Sequence, residues 1–364
     1  MIKQKISSFQ MGVLFFVFMT GSSIIFVPGP LIGKAGAAAW LSLLLSGLVG
    51  FGILMMLLYL YRRFPGLDYI DYSRRLMGNG LTVLLGLLTI SYLLQMQAAI
   101  VIGVGQFMIG AMMRETPMYA FTSLIFLIAG LTARAGIEVI ARMFTLIMLL
   151  TSFFIAIVLL FAIPVYQPDQ LLPILPKGLT PVFAGAYYTF GFPYSEVFLF
   201  GMLLPFAAGP KVQKKLMMSL SISFALNLIV LCAVTLCSLM VFGSSAGAGP
   251  YVLYSIARLI EFQEIFQRVE SIIGMSLILG SYMKATLALY VLSLFITKLC
   301  GMKDNNVLIM PLALTGFLLG LVTYDSTTQW GHIVTEIHPL WTGFVLLIPL
   351  LIVMTIAIFR PAKT

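Results

Sequence analysis

Glu196 and Lys284 are the two charged side chains from which chemistry can be argued in this sequence. Each falls well inside an apolar run long enough to cross a bilayer, about 180–206 and 267–299. A charge at that depth costs about 2.5–3.5 kcal/mol on insertion scales, so it persists where it meets a partner, a ligand or a wet cavity. The first run reads TPVFAGAYYTFGFPYSEVFLFGMLLPF, with Gly191, Pro193 and Ser195 beside the carboxylate. Pro193 has no N–H for a helix and pushes Phe192 out of the α region. Such a break is tolerated in a membrane only where protein covers it or it lines a cavity, so the run is read as two half-helices with a polar pocket between them. Glu196 can pair with a ligand ammonium, relay a proton, or cap the second half-helix. Lys284 can act as a fixed internal cation or as the structural partner of Glu196 or Glu270.

The first apolar run, FFVFMTGSSIIFVPGPLIG, is interrupted as well, by Gly21, Ser22 and Ser23 and then by Pro28 and Pro30. Broken helices leave N–H groups unpaired at one start and C=O groups unpaired at the other end; the former suit a carboxylate, the latter an ammonium. Gly21, Ser22 and Ser23 are assigned to the first role, with Thr20 beside them as a further ligand-binding candidate. Thr189, Phe190 and Gly191 supply carbonyls for the second. Phe190, Phe192 and Tyr194 can roof the pocket, and Tyr92 and Ser281 can line it. Tyr92 and Gln95 share a helical face, while Gln97 points elsewhere. The competing reading is that the small residues let helices approach closely and the glutamines bond between helices. His332, His338, Asp325 and Glu336 read as a solvated outer loop, with no second ligand pair to complete a metal site. No phosphate loop, dinucleotide fingerprint or nucleophile elbow is present, so neither catalysis nor a cofactor is expected.

These residues must be held by membrane helices. Of 364 residues, 61% are hydrophobic and 9% charged, a balance that excludes soluble domains. The formal charge of +9 does not indicate nucleic acid, because the basic residues sit in short clusters between apolar runs. Cys232, Cys237 and Cys300 lie in or beside apolar runs and make no disulfide framework. Ten apolar segments are read at about 8–33, 38–61, 80–112, 117–132, 138–164, 180–206, 214–242, 267–299, 306–324 and 339–359. The first is read as an uncleaved helix. With a cytoplasmic N-terminus, fifteen of the 21 Lys and Arg fall on the cytoplasmic side and five on the other, with Lys284 within the membrane; this bias supports ten crossings with both termini inside. Segments one and six, both broken, each open a group of five. An odd number per group enters from opposite faces, which is the arithmetic of a 5+5 inverted repeat within one transmembrane domain over 1–364, its halves about 8–164 and 180–360. The stretch GSSAGAGPYVLYSIARLIEFQEIFQ reads as a short amphipathic outer helix, a lid or an ordinary interfacial helix.

Three stretches carry a resemblance. Ile6 to Trp40, with Gln10, Gly21, Pro28 and Ala35-Gly36-Ala37-Ala38-Ala39-Trp40, resembles the opening of the endospore germination permeases, the B subunits of spore germinant receptors, with Ala38 in place of an acidic residue. Gly191 to Phe206, with Glu196 ahead of FLFGMLLPF, is similar to that family's sixth segment. Arg268-Val269-Glu270 followed by Lys284 is similar to its eighth. The family lies in the amino acid–polyamine–organocation (APC) superfamily, so the resemblance implies an all-α LeuT/APC-type fold with discontinuous helices one and six. It also implies a multi-pass subunit of the bacterial cell membrane or spore inner membrane that senses a small nutrient, most simply an amino acid. The implied partners are a membrane A subunit and a lipoprotein C subunit. In sodium-coupled relatives of the fold, segments one and eight flank a sodium site; a Lys284 ammonium there would make binding sodium-independent. A proton-coupled amino acid transporter is the alternative, and a structural subunit without a ligand is a third.

Overall fold

The computed structural model describes residues 4–176, 178–207, 213–260, 269–323 and 327–359. Among them every regular element is helical. Segment one begins as α1 (Ser8–Thr20), opened by a capping box in which Ser7 and Gln10 satisfy each other's backbone N–H. It breaks at Gly21-Ser22, makes one turn, α2 (Ser23–Phe26), and continues as α3 (Pro28–Ala35). Gly36, at φ +57°, turns the chain toward α4 (Ala39–Arg63), segment two. A surface helix, α5 (Tyr69–Met77), capped by the Asp68 carboxylate, leads to α6 (Asn79–Phe107), segment three. Segments four and five are α7 (Met118–Arg134) and α8 (Ile137–Phe161). Segment six is α9 (Thr180–Gly191) followed by a 3-10 run, Tyr194–Met202. Nine residues is long for that geometry, which rarely exceeds about 3–4. Then come α10 (Gln213–Phe242), the short α11 (Val252–Leu259), α12 (Glu270–Cys300), α13 (Asn306–Thr323) and α14 (Gln329–Phe359).

Among the described residues, eight helices are long and apolar enough to cross a membrane. The other two segments are the shorter α7 and the broken segment six. Segment one packs on seven and five, as segment six packs on two and ten; three meets nine, as eight meets four; three and eight meet each other. Each relation returns when every segment is exchanged for the one five places away. The α1 and α12 helices are largely buried, whereas α8 and α13 turn most of their apolar surface outward. Apolar side chains are at home against lipid or protein, so close approach marks the inner layer. At Gly21 a Cβ would lie 2.6 Å from the Gly280 carbonyl oxygen, a distance no side chain allows.

One face gathers the N-terminus and the loops between segments two and three, four and five, and eight and nine. Gln4 accepts from the Ile137 N–H, Ile6 N–H donates to Phe206, and Arg74 donates to the Leu299 carbonyl. Lys298 bonds Asp68 and Asp71, each at 2.8 Å. Burial raises the Asp68 carboxyl above its ordinary range against the pull of Lys298. Lys34 and Glu336 pair on the opposite face. These groupings agree with the sides read from charge. Lys3, Lys177, Lys211, Arg268, Asp325, Arg360 and Lys363 lie outside the described residues.

One expectation is corrected. The last segment starts well before 339, so His332 and His338 lie in a helix instead of a loop. A π turn, Ile333–Ile337, carries the helix through this polar stretch, and a second, Gly343–Leu347, follows in the apolar part.

Candidate functional site

At the break in segment six, α9 ends at Gly191 and Phe192 is extended, ahead of a cis Phe192–Pro193 peptide. The local backbone is partly closed on itself. Phe192 N–H donates to Tyr188, Glu196 N–H to Pro193, and the Ser195 hydroxyl to the Gly191 carbonyl at 2.8 Å. The carbonyl of Gly191 is thereby engaged by protein. The Glu196 carboxylate meets the Lys284 ammonium of α12 at 2.5 Å, and both side chains are essentially inaccessible. The Phe192 ring lies 4.1 Å and the Phe18 ring 5.2 Å from that ammonium. An ion held this deep is kept by its counter-charge and by the ring faces that replace water.

Next to this pair is a cavity of about 210 Å³. Segment one contributes Ser22, Phe26 and Pro30; segment three Met96, Ala99 and Ile100; segment six Tyr188, Phe192 and Glu196. Segment ten contributes Trp330, Gly331, Val334, Thr335 and His338, and Pro250, shortly before α11, closes one side. Trp330, Val334 and His338 recur every four residues, one face of α14. Buried polar atoms here have no hydrogen-bond partner among the described residues: Ser22 Oγ, Trp330 Nε1 and His338 Nδ1. Tyr92 Oη is in the same condition, its ring 5.7 Å from that of His338. Buried polar atoms are normally satisfied, so their concentration marks a place for a polar guest. The described residues hold no cluster of His, Cys, Asp and Glu suited to a metal.

Residues 5–328 match the family described as spore germination protein. The chain belongs to that family. The chain is 27% identical over 358 residues to spore germination protein KB of Bacillus subtilis (strain 168), covering 96% of this chain and 94% of that one. It is 24% identical over 209 residues to spore germination protein YndE of the same organism, covering 57% of each. Its fold is that of cation-coupled transporters. A Na+-coupled sialic acid symporter superposes with TM-score 0.70 at 10% identity, covering 95% of this chain and 79% of that one. The nucleobase-cation-symport-1 transporter Mhp1 gives 0.62 at 10% identity, covering 94% and 78%. A manganese transporter of Eremococcus coleocola gives 0.63 at 12% identity, again covering 94% and 78%. The chain is thus a multi-pass membrane protein of the APC-type fold, with every described regular element helical.

Of the residues singled out in its sequence, the structure brings Ser22, Phe192 and Glu196 to the cavity wall, with Lys284 behind Glu196 and Tyr92 behind His338. Thr20 and Gly21 border a second, largely apolar cavity of about 180 Å³ between segments one, five, seven and eight. Thr20 accepts from Asn227, and Ser23 donates to the Met19 and Thr20 carbonyls. Ser281 is buried on α12 with its hydroxyl unpartnered. Thr189 turns to segment two, 2.6 Å from Ser46, and Gly191 sits against Pro339. Phe190 faces Gly343 of the last helix. Tyr194 packs on Phe224 and Gly50, away from the cavity, because the extended Phe192 and the 3-10 turn rotate it toward segments two and seven. Gln97 donates to the Ala285 carbonyl, while Gln95 is exposed, so Gln95 and the buried Tyr92 do not share an environment. Sequence reasoning passed over Trp330 and His338. Their four-residue spacing was visible, but the polar residues around them read as a loop.

Proposed function

We propose that this protein is the transporter-like membrane subunit of a spore germinant receptor. It holds a small nutrient in the cavity between segments one, three, six and ten and passes its occupancy to partner subunits. The observation that carries the reading is the buried Glu196–Lys284 pair bordering a partly polar cavity at the break of segment six. Family membership and the transporter fold support the same role. In this reading Ser22, Phe192 and Glu196 touch the nutrient. Residues about 8–164 and 180–360 form the two repeats, both termini face the cytoplasm, and the protein sits in the spore inner membrane with a membrane A subunit and a lipoprotein C subunit. The face bearing α5 offers Arg75, which is exposed, to such a partner. The reaction is recognition, without catalysis or a cofactor, and Lys284 takes the place of a coupling sodium.

The test is a germinant panel on spores carrying Phe192→Ala or Tyr194→Ala at matched protein levels. Phe192→Ala shifts nutrient preference; Tyr194→Ala, away from the cavity, leaves the order unchanged. An unchanged order in both variants refutes the site. The fold is shared with symporters, which keeps a second reading open, a secondary transporter that moves its ligand with protons. Uptake of labelled amino acid into proteoliposomes holding this chain alone would establish that reading instead.

A further inference from the structure

Gln97 of α6 donates to the Ala285 carbonyl at 3.1 Å, and Ala285 stands fifteen residues from each end of α12 (Glu270–Cys300). Gln97 and its near neighbour Gln95 therefore lie at the middle of the membrane. A hydrocarbon core about 30 Å thick puts them about 15 Å from water on either side, too deep for a side chain to reach the headgroups. Gln97 turns inward and is bonded, as polar groups at this depth are expected to be. Gln95 turns outward and is exposed, and among the described residues its amide has no hydrogen-bond partner.

Other outward polar groups on the apolar helices are closed off. The hydroxyls of Ser91, Thr315 and Thr355, exposed as well, each donate to a carbonyl three or four residues back in their own helix. A primary amide has two N–H donors and a carbonyl, and α6 leaves them open. Lipid tails offer neither donor nor acceptor, so an amide facing them keeps the full cost of its desolvation. A helix of another molecule supplies both. The surface around Gln95 suits one. Leu84, Leu87, Ser91 and Gln95, spaced by three, four and four residues, form one outward stripe. The other faces of α6 pack on α7, α12, α13 and the Gly343–Leu347 turn. Ser91, one turn from the amide, is small enough to let a second backbone come close.

The amide itself selects the occupant. It both donates and accepts, so it complements a copy of itself. Two copies inserted with the same sidedness are related by a two-fold axis along the membrane normal. That symmetry brings the two Gln95 side chains to the same depth, where they can exchange N–H···O bonds. A helix of another sequence would need its own polar side chain at that level. We propose that the outward face of segment three is a homodimer interface, in which two copies of this chain meet along Leu84, Leu87, Ser91 and Gln95 with the Gln95 amides paired at the bilayer centre. Met96, next to Gln95, lines the cavity between segments one, three, six and ten, so interface and cavity share a helix. The dimer does not depend on what that cavity holds.

The test uses the full-length protein in spore membranes and in lipid bicelles, with Cys232, Cys237 and Cys300 replaced by alanine. Ser91→Cys, which keeps Gln95, is expected to give a disulfide-linked species of twice the chain's mass on mild oxidation. Leu149→Cys, exposed at the middle of α8, is expected to give none. Energy transfer between labelled copies in bicelles reads the dissociation constant. Gln95→Leu is expected to raise it about 8-fold, the worth of two interhelical hydrogen bonds, at an unchanged melting temperature; Gln95→Asn keeps an amide and most of the association. Should Gln95→Leu melt lower than the unsubstituted protein, the comparison of Ser91→Cys with Leu149→Cys, made with Gln95 in place, still decides. Absence of the doubled species from Ser91→Cys, equal cross-linking from Leu149→Cys, or association in a normally folded Gln95→Leu as tight as in the unsubstituted protein overturns the dimer. A cross-link from Ser91→Cys in spore membranes to a different polypeptide alone overturns it as well.

Discussion

Replacing Lys284 by methionine keeps most of the side-chain length and removes the charge facing Glu196. The charged atoms are 2.5 Å apart, which at an effective dielectric of about 20 is roughly 7 kcal/mol of gross attraction. Taking both ions out of water costs several kcal/mol each, so the net contribution of the intact pair is small. The single substitution upsets that balance. Glu196, 2% exposed, is left buried without a counter-charge, and the expected loss of stability is about 3–5 kcal/mol. Replacing both residues by apolar ones of similar length, as Glu196→Met with Lys284→Met, removes both desolvation costs and is expected to be neutral or stabilising by up to about 4 kcal/mol. Thermal unfolding of the purified protein in detergent, followed by light scattering and intrinsic fluorescence, reads the order: double variant at or above the unsubstituted protein, single variant lowest. A single variant that melts with the unsubstituted protein, or a double variant as damaged as the single, would show that the two charges do not depend on each other.

Gly21→Ala is expected to cost about 1–3 kcal/mol as overpacking, because its methyl group would press on the Gly280 backbone; loss of thermal stability at normal expression checks this, and wild-type stability refutes it. Ligand affinity is expected to be the same in sodium and in choline buffers, and a tenfold rise with sodium would remove Lys284 from the role of internal cation. In inverted and right-side-out vesicles, Cys300 is expected to react with an impermeant maleimide from the cytoplasmic side and a Lys34→Cys substitution from the other; labelling of both from one side refutes the ten-crossing topology. The Asp68 carboxyl, raised by burial, binds its proton more tightly in the folded state, so its contribution to stability falls as pH rises from the ordinary carboxylate range through the folded value. Asp68→Asn keeps a capping side chain and removes that dependence, so the melting-temperature gap between the two proteins should widen in favour of the variant as pH rises; a gap constant with pH would refute it.

Much of the fold was legible because bilayer physics is severe and local. A helix must run about 20 apolar residues to cross, so hydropathy alone located the ten segments, and charge asymmetry sorted loops that the structure brings together on two faces. The breaks at Gly21 and Pro193 were equally visible, since a missing N–H and a missing Cβ act on their own chain. Glu196 and Lys284 were found because a membrane makes every deep charge conspicuous. Which of several partners Lys284 would take was open in the sequence, because 88 residues separate it from Glu196 and only packing closes that distance. Tertiary structure also decided which polar residues face the cavity. Thr189 and Tyr194 look no different along the chain from Ser22 and Phe192, but Thr189 falls on the face of α9 that meets Ser46 of segment two, and the rotation imposed by an extended residue and a 3-10 turn sends Tyr194 to segments two and seven. His338 was lost for the opposite reason: a polar stretch that reads as loop becomes helix when its other face packs against segments three and six, an energy that lies in the neighbours and not in the sequence of the segment itself.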